Sequence, residues 1–589
     1  MKPDSPFKES FSFFSKLNYF FNHQQKRSIF YLLILLFIGM LLEVTSLSMV
    51  IPLISSILDP DFKEVLHHLP IDPSYFERWS NKELILIFLG VLVFTFLVKT
   101  FFLIYLSYRQ NRFIGGVSAT ISTRLFEKYL GADYTFHLNR NSAELMRNLQ
   151  QEVAFFIAFF QSFISTIVEV LLLFAVVLTL VIIEPIGAIS LGVFLGFISY
   201  LFFQITKKRL ATWGKQRQDL DGLISQIILE TLAGIKEIKI KGKEMFFLKK
   251  YASNTFYKAN VNALFTTINL VPRYYLEFMS IFALASFITI MLLQGRPLTS
   301  LITIVGVFVA AIFRMLPSVN KIISNLQVIK YKKYALDVLL KEFKQIEFEG
   351  FPKTAVTNTY PIKNSIALKA LDFNYNPTTK VLKNASFEIK KGSVVGIVGE
   401  SGAGKSTVVD VLLGLYPTHH KNIFIDGTPV SDQIRLFQNN IGYVPQEIFL
   451  LDNSIKNNIA LGIPEDQIDT NRINEVIELA QIKSFVDSQP NGINTIVGEH
   501  GDQLSGGQRQ RIGIARSLYQ NPDVLIFDEA TSALDNETER EILNVIFSLK
   551  KGKTIIMIAH RLSTLEKCDE VFQIKKGEIY PIELNLKSS

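Results

Sequence analysis

Residues 399–407, GESGAGKST, place glycines at 399, 402 and 404 immediately before a Lys–Ser pair. The apolar run SVVGIV precedes them and VVDVLLGL follows, so the pattern predicts a buried strand, a glycine-rich loop and a helix. Such a loop turns successive backbone N–H groups onto a phosphate at a helix N-terminus, where the helix dipole also favours an anion. The contacting set is Gly399, Glu400, Ser401, Gly402, Ala403, Gly404, Lys405, Ser406 and Thr407. Lys405 is expected to reach the β- and γ-phosphates of ATP, and the Ser406 hydroxyl to ligate Mg²⁺.

DVLIFDEATSALD, from residue 523, supplies acidic chemistry. An apolar strand ends at Asp528, expected to hold Mg²⁺ directly or through water. Glu529 is placed to orient or deprotonate an attacking water. In LSGGQRQR (504–511), Ser505 can cap a helix, and Gly506, Gly507 and Gln508 let a phosphate approach its first turn. Tyr375 in LDFNYN offers a flat surface for adenine, Gln446 in GYVPQE a further Mg²⁺ contact, and His560 in MIAHR a contact to the γ-phosphate.

These pieces occur in an order that resembles the ATP-binding domain of ABC transporters, over about residues 365–585. The segment TIVGEHG at 495–501 is similar to one typical of the exporter branch. The resemblance implies an α/β P-loop ATPase in which each ATP lies between the phosphate loop of one domain and the LSGGQ of a second. One such domain per chain implies a half-transporter that works as a homodimer.

The elements ahead of this domain are apolar. Half the chain is hydrophobic (49%), and mean hydropathy is +0.27. Runs long enough to cross a bilayer lie near 28–58, 83–110, 155–183, 186–206, 262–293 and 298–325. A six-helix all-α membrane domain over 1–340, a linker at 341–364 and the ATPase domain at 365–589 are therefore expected. The start, MKPDSPFKESFSFFSK, lacks the features of a signal peptide, so the first span is expected to remain as an anchor. The connection at 207–258 carries twelve Lys/Arg, whereas the 60–82 loop has only Lys63, Arg78 and Lys82. Positive-inside counting thus places the long connections, the N-terminus and the ATPase domain in the cytoplasm, and the family resemblance implies a bacterial inner membrane. That counting also accounts for the net charge of +8 without nucleic acid. With one cysteine, Cys568, no intrachain disulfide forms. Within the long connections, YTFHLNRNSA (134–143) and ETLAGIKEIKI (230–240) are candidate coupling segments, the second by its resemblance to the exporters' coupling loop.

Three cations interrupt the apolar runs: Lys99, Arg273 and Arg314. A charge at the bilayer centre costs ~2.5–3.5 kcal/mol on the insertion scale, so each requires a partner or a water-filled cavity. Arg273 can pair with Glu277 one turn on, Arg314 with Glu43 or Glu169, and Lys99 can snorkel. Three cations in three spans would otherwise suit a bulky anion such as a pyrophosphate. VPRYYLE (271–277), FRMLPSVNKII (313–323) and LLEVTSLSMVIPLI (41–54) are similar to segments of the flippases of lipid-linked oligosaccharides in bacterial protein N-glycosylation. This resemblance implies that Arg273 and Arg314 handle a pyrophosphate, with Lys99 where the family has an arginine. It also implies an external helix near DFKEVLHHL (61–69) that engages a lipid tail. Export of another lipid, a peptide or drugs, or a membrane ATPase that regulates another protein, are the alternatives.

Overall fold

The computed structural model describes residues 19–48, 79–183, 185–293, 298–346, 348, 350–351, 359–376, 379–530, 536–550, 552–559 and 562–583. The external helix expected at 61–69 and His560 lie outside the described residues, as does the side chain of Arg314. The chain divides into two units. One comprises Met1–Ala132 and Asn139–Gly350, the other Asp133–Leu138 and Phe351–Ser589.

Among the described residues the first unit is built from six long helices: α1 (His23–Ser48), α2 (Asn81–Gly131), α3 (Val153–Ile183), α4 (Pro185–Ala233), α5 (Glu244–Leu293) and α6 (Leu298–Gln345). Each contains, or in the case of α1 begins, one of the apolar runs. Three of them satisfy both length and apolarity for a membrane span within the described residues: His23–Ser46, Lys82–Gly131 and Ser142–Leu178. The apolar stretches of α4, α5 and α6 run partly through side chains outside that set. Start signals are local. Ser80 caps α2 in a reciprocal box with Glu83, whose carboxylate accepts from the Ser80 N–H at 2.8 Å. Asn22 and Gln25 bond each other's backbone N–H at the head of α1.

The helices do not stop where the apolar runs stop. α2 continues about twenty residues past the end of its run near 110, and α4 through the basic stretch to Ala233. The last helix reaches Gln345, inside the segment read as linker. Val176, Leu195, Ile198, Leu276, Met315, Val319 and Ile323 bring α3, α4, α5 and α6 into one apolar cluster. Leu32, Leu35, Leu36 and Leu106 join α1 to α2. Phe94, Phe101 and Ile104 of α2 remain exposed, as expected where lipid replaces protein as the neighbour.

In the polar extensions the packing is ionic. A π-helical turn, Asn148–Glu152, leads into α3 and delivers Glu152 to a fully buried Arg217 of α4. Arg217 is 3.2 Å from Asp221 and 3.8 Å from Glu152, and lies over the Phe155 ring; Lys258 of α5 reaches Asp221 at 2.6 Å. Removing one partner of a buried pair costs ~3–5 kcal/mol because it strands the other charge. Arg217→Ala is therefore expected to lower the melting temperature in detergent, and Arg217→Ala with Glu152→Gln to recover part of the loss. Differential scanning fluorimetry checks both.

The second unit holds two sheets. A four-stranded antiparallel sheet has the order β2-β1-β4-β5, from β1 (Ser365–Asn376), β2 (Thr379–Lys390), β4 (Ile423–Ile425) and β5 (Thr428–Pro429). A six-stranded sheet has the order β10-β9-β3-β8-β7-β6. Its members are β3 (Val394–Gly399), β6 (Ile441–Val444), β7 (Val524–Asp528), β8 (Thr554–Ile558), β9 (Glu570–Lys575) and β10 (Glu578–Ile582). β9, β3, β8, β7 and β6 are mutually parallel and β10 is antiparallel. β7 and β8 are buried throughout, the signature of strands covered on both faces. Three helices matter for the site: α7 (Lys405–Leu412), α8 (Gly506–Tyr519) and α9 (Asn536–Ser548).

Candidate nucleotide site

Parallel strands aim their C-terminal ends at one edge, where ligands of such sheets bind. Register pairs Ile397 of β3 with Ile558 of β8, and Ile558 with Asp528 of β7. The loop after β3 and the acids ending β7 therefore share this edge. Gly404, at φ +106°, closes the loop in a left-handed conformation, and a Cβ there would lie 2.9 Å from Leu382. That turn starts α7 with its first backbone N–H groups facing the loop. Lys405 is buried and folds back over the loop, donating to the carbonyls of Gly399 at 2.9 Å and Glu400 at 3.3 Å. Ser406, one residue on, is exposed at the head of α7.

Asp528 is buried at the end of β7, with the Tyr443 hydroxyl donating to it at 3.4 Å. Burial, then the neighbouring Glu529, holds its carboxyl above the usual range. Glu529 has φ +47°, a strained setting for a non-glycine residue, and its N–H donates to Ile558 at 3.2 Å. Gln446 donates to the Glu529 carboxylate at 2.8 Å. The fold thus brings together the Gln and Glu that are 83 residues apart in the chain. Tyr375 keeps its ring half exposed while its hydroxyl shares a hydrogen bond with Thr407 at 2.9 Å, which ties the expected adenine platform to α7.

Ser505 caps α8 in a second reciprocal box. Its hydroxyl accepts from the Gln508 N–H at 3.3 Å and Gln508 accepts from the Ser505 N–H at 2.8 Å. The apolar face of α8 (Ile512, Ile514, Ala515, Leu518) packs into one core cluster, that of α7 (Val408, Val409, Val411, Leu412) into another. The two clusters take alternate residues of β3, β7 and β8, so α8 and α7 pack on opposite faces of the six-stranded sheet.

An exposed hydroxyl, a desolvated carboxylate and an amide form an oxygen donor set suited to a hard cation that takes its remaining ligands from phosphates and water. Ser406, Asp528 and Gln446 fit Mg²⁺ in this sense. The ion would neutralise phosphate charge.

Several neighbours escaped the motif reading. Asp410 of α7 is pushed up to about 6, by burial first and then by Asp528. Around it stand Tyr416, Tyr443 and Tyr134, the last from the short helix Tyr134–Leu138 that belongs to this unit. The rings of Tyr134 and Tyr416 meet edge-on at 6.2 Å. Their only sequence signal is aromatic character in separate segments. The sign of the Asp410 effect is definite. A carboxyl with a raised folded-state pKa favours the fold below its ordinary value, and that contribution is lost as pH rises through about 6. Asp410→Asn should therefore raise the melting temperature of the nucleotide-binding unit at pH 8 by about 2–4 °C per kcal/mol recovered. The gain should shrink toward pH 5 in a thermal scan.

In the membrane unit Arg273 is 64% exposed and pairs with Glu277 at 3.2 Å. Lys99 is mostly buried and pairs with Glu43 at 2.9 Å, and it also donates to Ser46 at 3.3 Å. Arg314 occupies a helical position in α6. Glu169, one of the two acids expected beside it, pairs with Lys321 at 2.6 Å.

Matches to known proteins agree with this architecture. The ABC transporter transmembrane region model matches residues 29–316, and the ABC transporter model matches 382–532. The chain belongs to the ABC transporters, as an exporter-type half that carries membrane region and ATPase domain in one polypeptide. Among relatives it is similar to an ATP-dependent lipid A-core flippase of Saccharophagus degradans, 36% identical over 62% of this chain and 61% of that protein. A flippase of the same description from Ralstonia nicotianae is 27% identical over 79% and 78%. A multidrug resistance ABC transporter ATP-binding and permease protein of Lactococcus lactis is 32% identical over 62% of each. The chain thus spans less than two thirds of the first and third of these relatives. A bacterial Atm1-family ABC exporter with ATP bound shares the fold, with a TM-score of 0.73 at 22% identity over 95% of each chain.

Proposed function

We propose that the protein is an ATP-driven flippase that moves a polyprenyl-pyrophosphate-linked saccharide from the cytoplasmic to the outer leaflet of a bacterial inner membrane. The ATPase unit lies in the cytoplasm, and two identical chains form the working transporter. Each ATP sits on residues 399–407 and Tyr375 of one chain and faces Ser505–Gln508 of the other. The placement of α7 and α8 on opposite faces of the six-stranded sheet supports this pairing. Asp528, Ser406 and Gln446 hold Mg²⁺, Glu529 handles the attacking water, and His560 contacts the γ-phosphate. Closure favoured by ATP then biases the membrane helices between access states.

The observation that carries the substrate assignment is the exposed Arg273 on α5, in an apolar span whose one other charged residue is Glu277. An arginine there presents a planar fork suited to a phosphate. A flippase of another lipid is the second reading, favoured by the relatives described as lipid A-core flippases. The test is reconstitution in liposomes with a labelled polyprenyl-pyrophosphate oligosaccharide. ATP-dependent movement between leaflets, lost in Glu529→Gln, supports the proposal. Absent movement beside healthy ATP hydrolysis rejects the cargo.

A further inference from the structure

We propose that Arg511 of α8 is a positioning residue: it ties Ser505–Gln508, the segment that faces the partner's ATP, to the Glu529 segment of its own chain, so that the two ATP sites of the dimer act cooperatively. The proposal rests on the paired-site reading above. Arg511 is charged, yet its side chain is only 11% exposed. Its guanidinium donates to the Gln481 carbonyl at 3.1 Å, to the Ala480 carbonyl at 3.5 Å and to the Glu541 carboxylate. The two carbonyls lie just past the helix Thr470–Leu479, where backbone acceptors lack intrahelical donors and a cation is favoured. Capping that helix accounts for two of the three bonds. It does not account for Glu541, which is 57% exposed and stands on α9.

α9 begins at Asn536, seven residues after Glu529, and so anchors the far end of the segment that carries this acid. Ile542, Val545 and Ile546 of α9 share one core cluster with Ile512 and Ile514 of α8. The first turns of the two helices also meet, since a Cβ at Gly507 would lie 2.8 Å from the Thr538 methyl. Glu539 accepts from the Thr564 hydroxyl at 3.2 Å, four residues past His560. One helix thus adjoins Ser505–Gln508, follows Glu529 and holds the chain that leaves His560. Arg511 is the ionic tie between that helix and α8.

Gln508 and Arg511 are i,i+3 on α8 and share a face. Both line a polar space of about 360 Å³ together with Gln481, Ser484, Glu541 and Asn544. The ion pair therefore sits at an open rim, where such pairs add little to stability. It fixes geometry instead. When the partner's ATP draws in Ser505–Gln508, Arg511 carries the shift to α9 and so to the Glu529 segment. Such coupling is reciprocal, so nucleotide at either site favours the hydrolytic geometry of the other.

The test follows ATP hydrolysis against ATP concentration by the full-length dimer for wild type, Arg511→Gln, Arg511→Lys, Glu541→Gln and the Arg511→Gln, Glu541→Gln pair. Wild type is expected to show a Hill coefficient above unity. Arg511→Gln and Glu541→Gln should each bring it to unity and lower kcat about tenfold, a coupling factor of ordinary size. Binding of a fluorescent ATP analogue without Mg²⁺ should hold in both, because Lys405 and Tyr375 are untouched, and the melting temperature of Glu541→Gln should stay close to that of wild type. Arg511→Lys should keep most of the cooperativity, and the double variant should be no worse than either single one. Wild-type kinetics in Glu541→Gln, with loss confined to an Arg511→Gln protein of lowered melting temperature, would mark a plain helix cap and overturn the proposal. A dimeric wild type with a Hill coefficient of unity would overturn the coupling and leave the paired site standing. Hydrolysis by isolated monomers, checked by light scattering, would overturn both readings.

Discussion

Glu529→Gln is expected to lower steady-state ATP hydrolysis by at least about a hundredfold while the protein still binds ATP. The substitution keeps the size of the side chain and its capacity to accept from Gln446, so the local geometry survives. It removes the carboxylate that would take or orient the proton of water, an action worth ~10²–10⁴ in rate. The backbone at 529 supports this reading. A left-handed φ on a non-glycine residue costs ~1–2 kcal/mol, and here it aims the side chain at the edge shared with the phosphate loop. The binding elements, Lys405 over its loop and Tyr375 above α7, are untouched. Phosphate release should therefore vanish while nucleotide retained on a filter persists or rises. Hydrolysis at a tenth of the wild-type rate or more would assign the proton to another group.

Much of this site was legible because phosphate chemistry demands backbone geometry, and backbone geometry writes glycines at fixed spacings. Residues 399–407 and 505–508 needed no structure to be found. Asp410, Tyr443 and Tyr416 were hidden for the opposite reason. A desolvated carboxyl becomes special only once the fold crowds α7 against β7, and nothing local marks it. The membrane half shows the same division. Hydropathy located the apolar parts of the long helices, because it reports the solvent around a helix. It was blind to their ends, because backbone hydrogen bonds continue where the lipid stops, as α2 does to Gly131. It was equally blind to partners. Glu43 belongs with Lys99 across α1 and α2, and Glu169 with Lys321 across α3 and α6. Such pairs depend on which helix faces which, and residue spacing within one span does not carry that information.

Those pairings separate the intramembrane cations by expected phenotype. Arg273→Gln combined with Arg314→Gln should abolish flipping of a pyrophosphate-linked lipid, and ATP hydrolysis should no longer respond to added lipid. Arg273 is open and, among the described residues, is paired with Glu277 on its own helix, an exposed i,i+4 pair worth ~0.3–0.5 kcal/mol. Its loss strands no buried charge, so the folded yield should hold. The functional loss should be large, since charge-assisted bonds from two guanidinium groups contribute ~1.5–3 kcal/mol each. Lys99→Gln should behave differently. It removes the Lys99 ammonium from beside Glu43, 4% exposed, in the membrane interior. The expected result is reduced yield and a lower melting temperature, relieved by adding Glu43→Gln, because the cost lies in the buried carboxylate's lost ion pair. Size-exclusion profiles, thermal scans and the liposome assay on the same preparations decide the matter. If Lys99→Gln with Glu43→Gln folds well yet raises the KM for lipid as the arginine pair does, Lys99 belongs with the substrate. If it folds well and transports normally, the lysine serves to neutralise Glu43, and the anion is carried by the cations along α5 and α6.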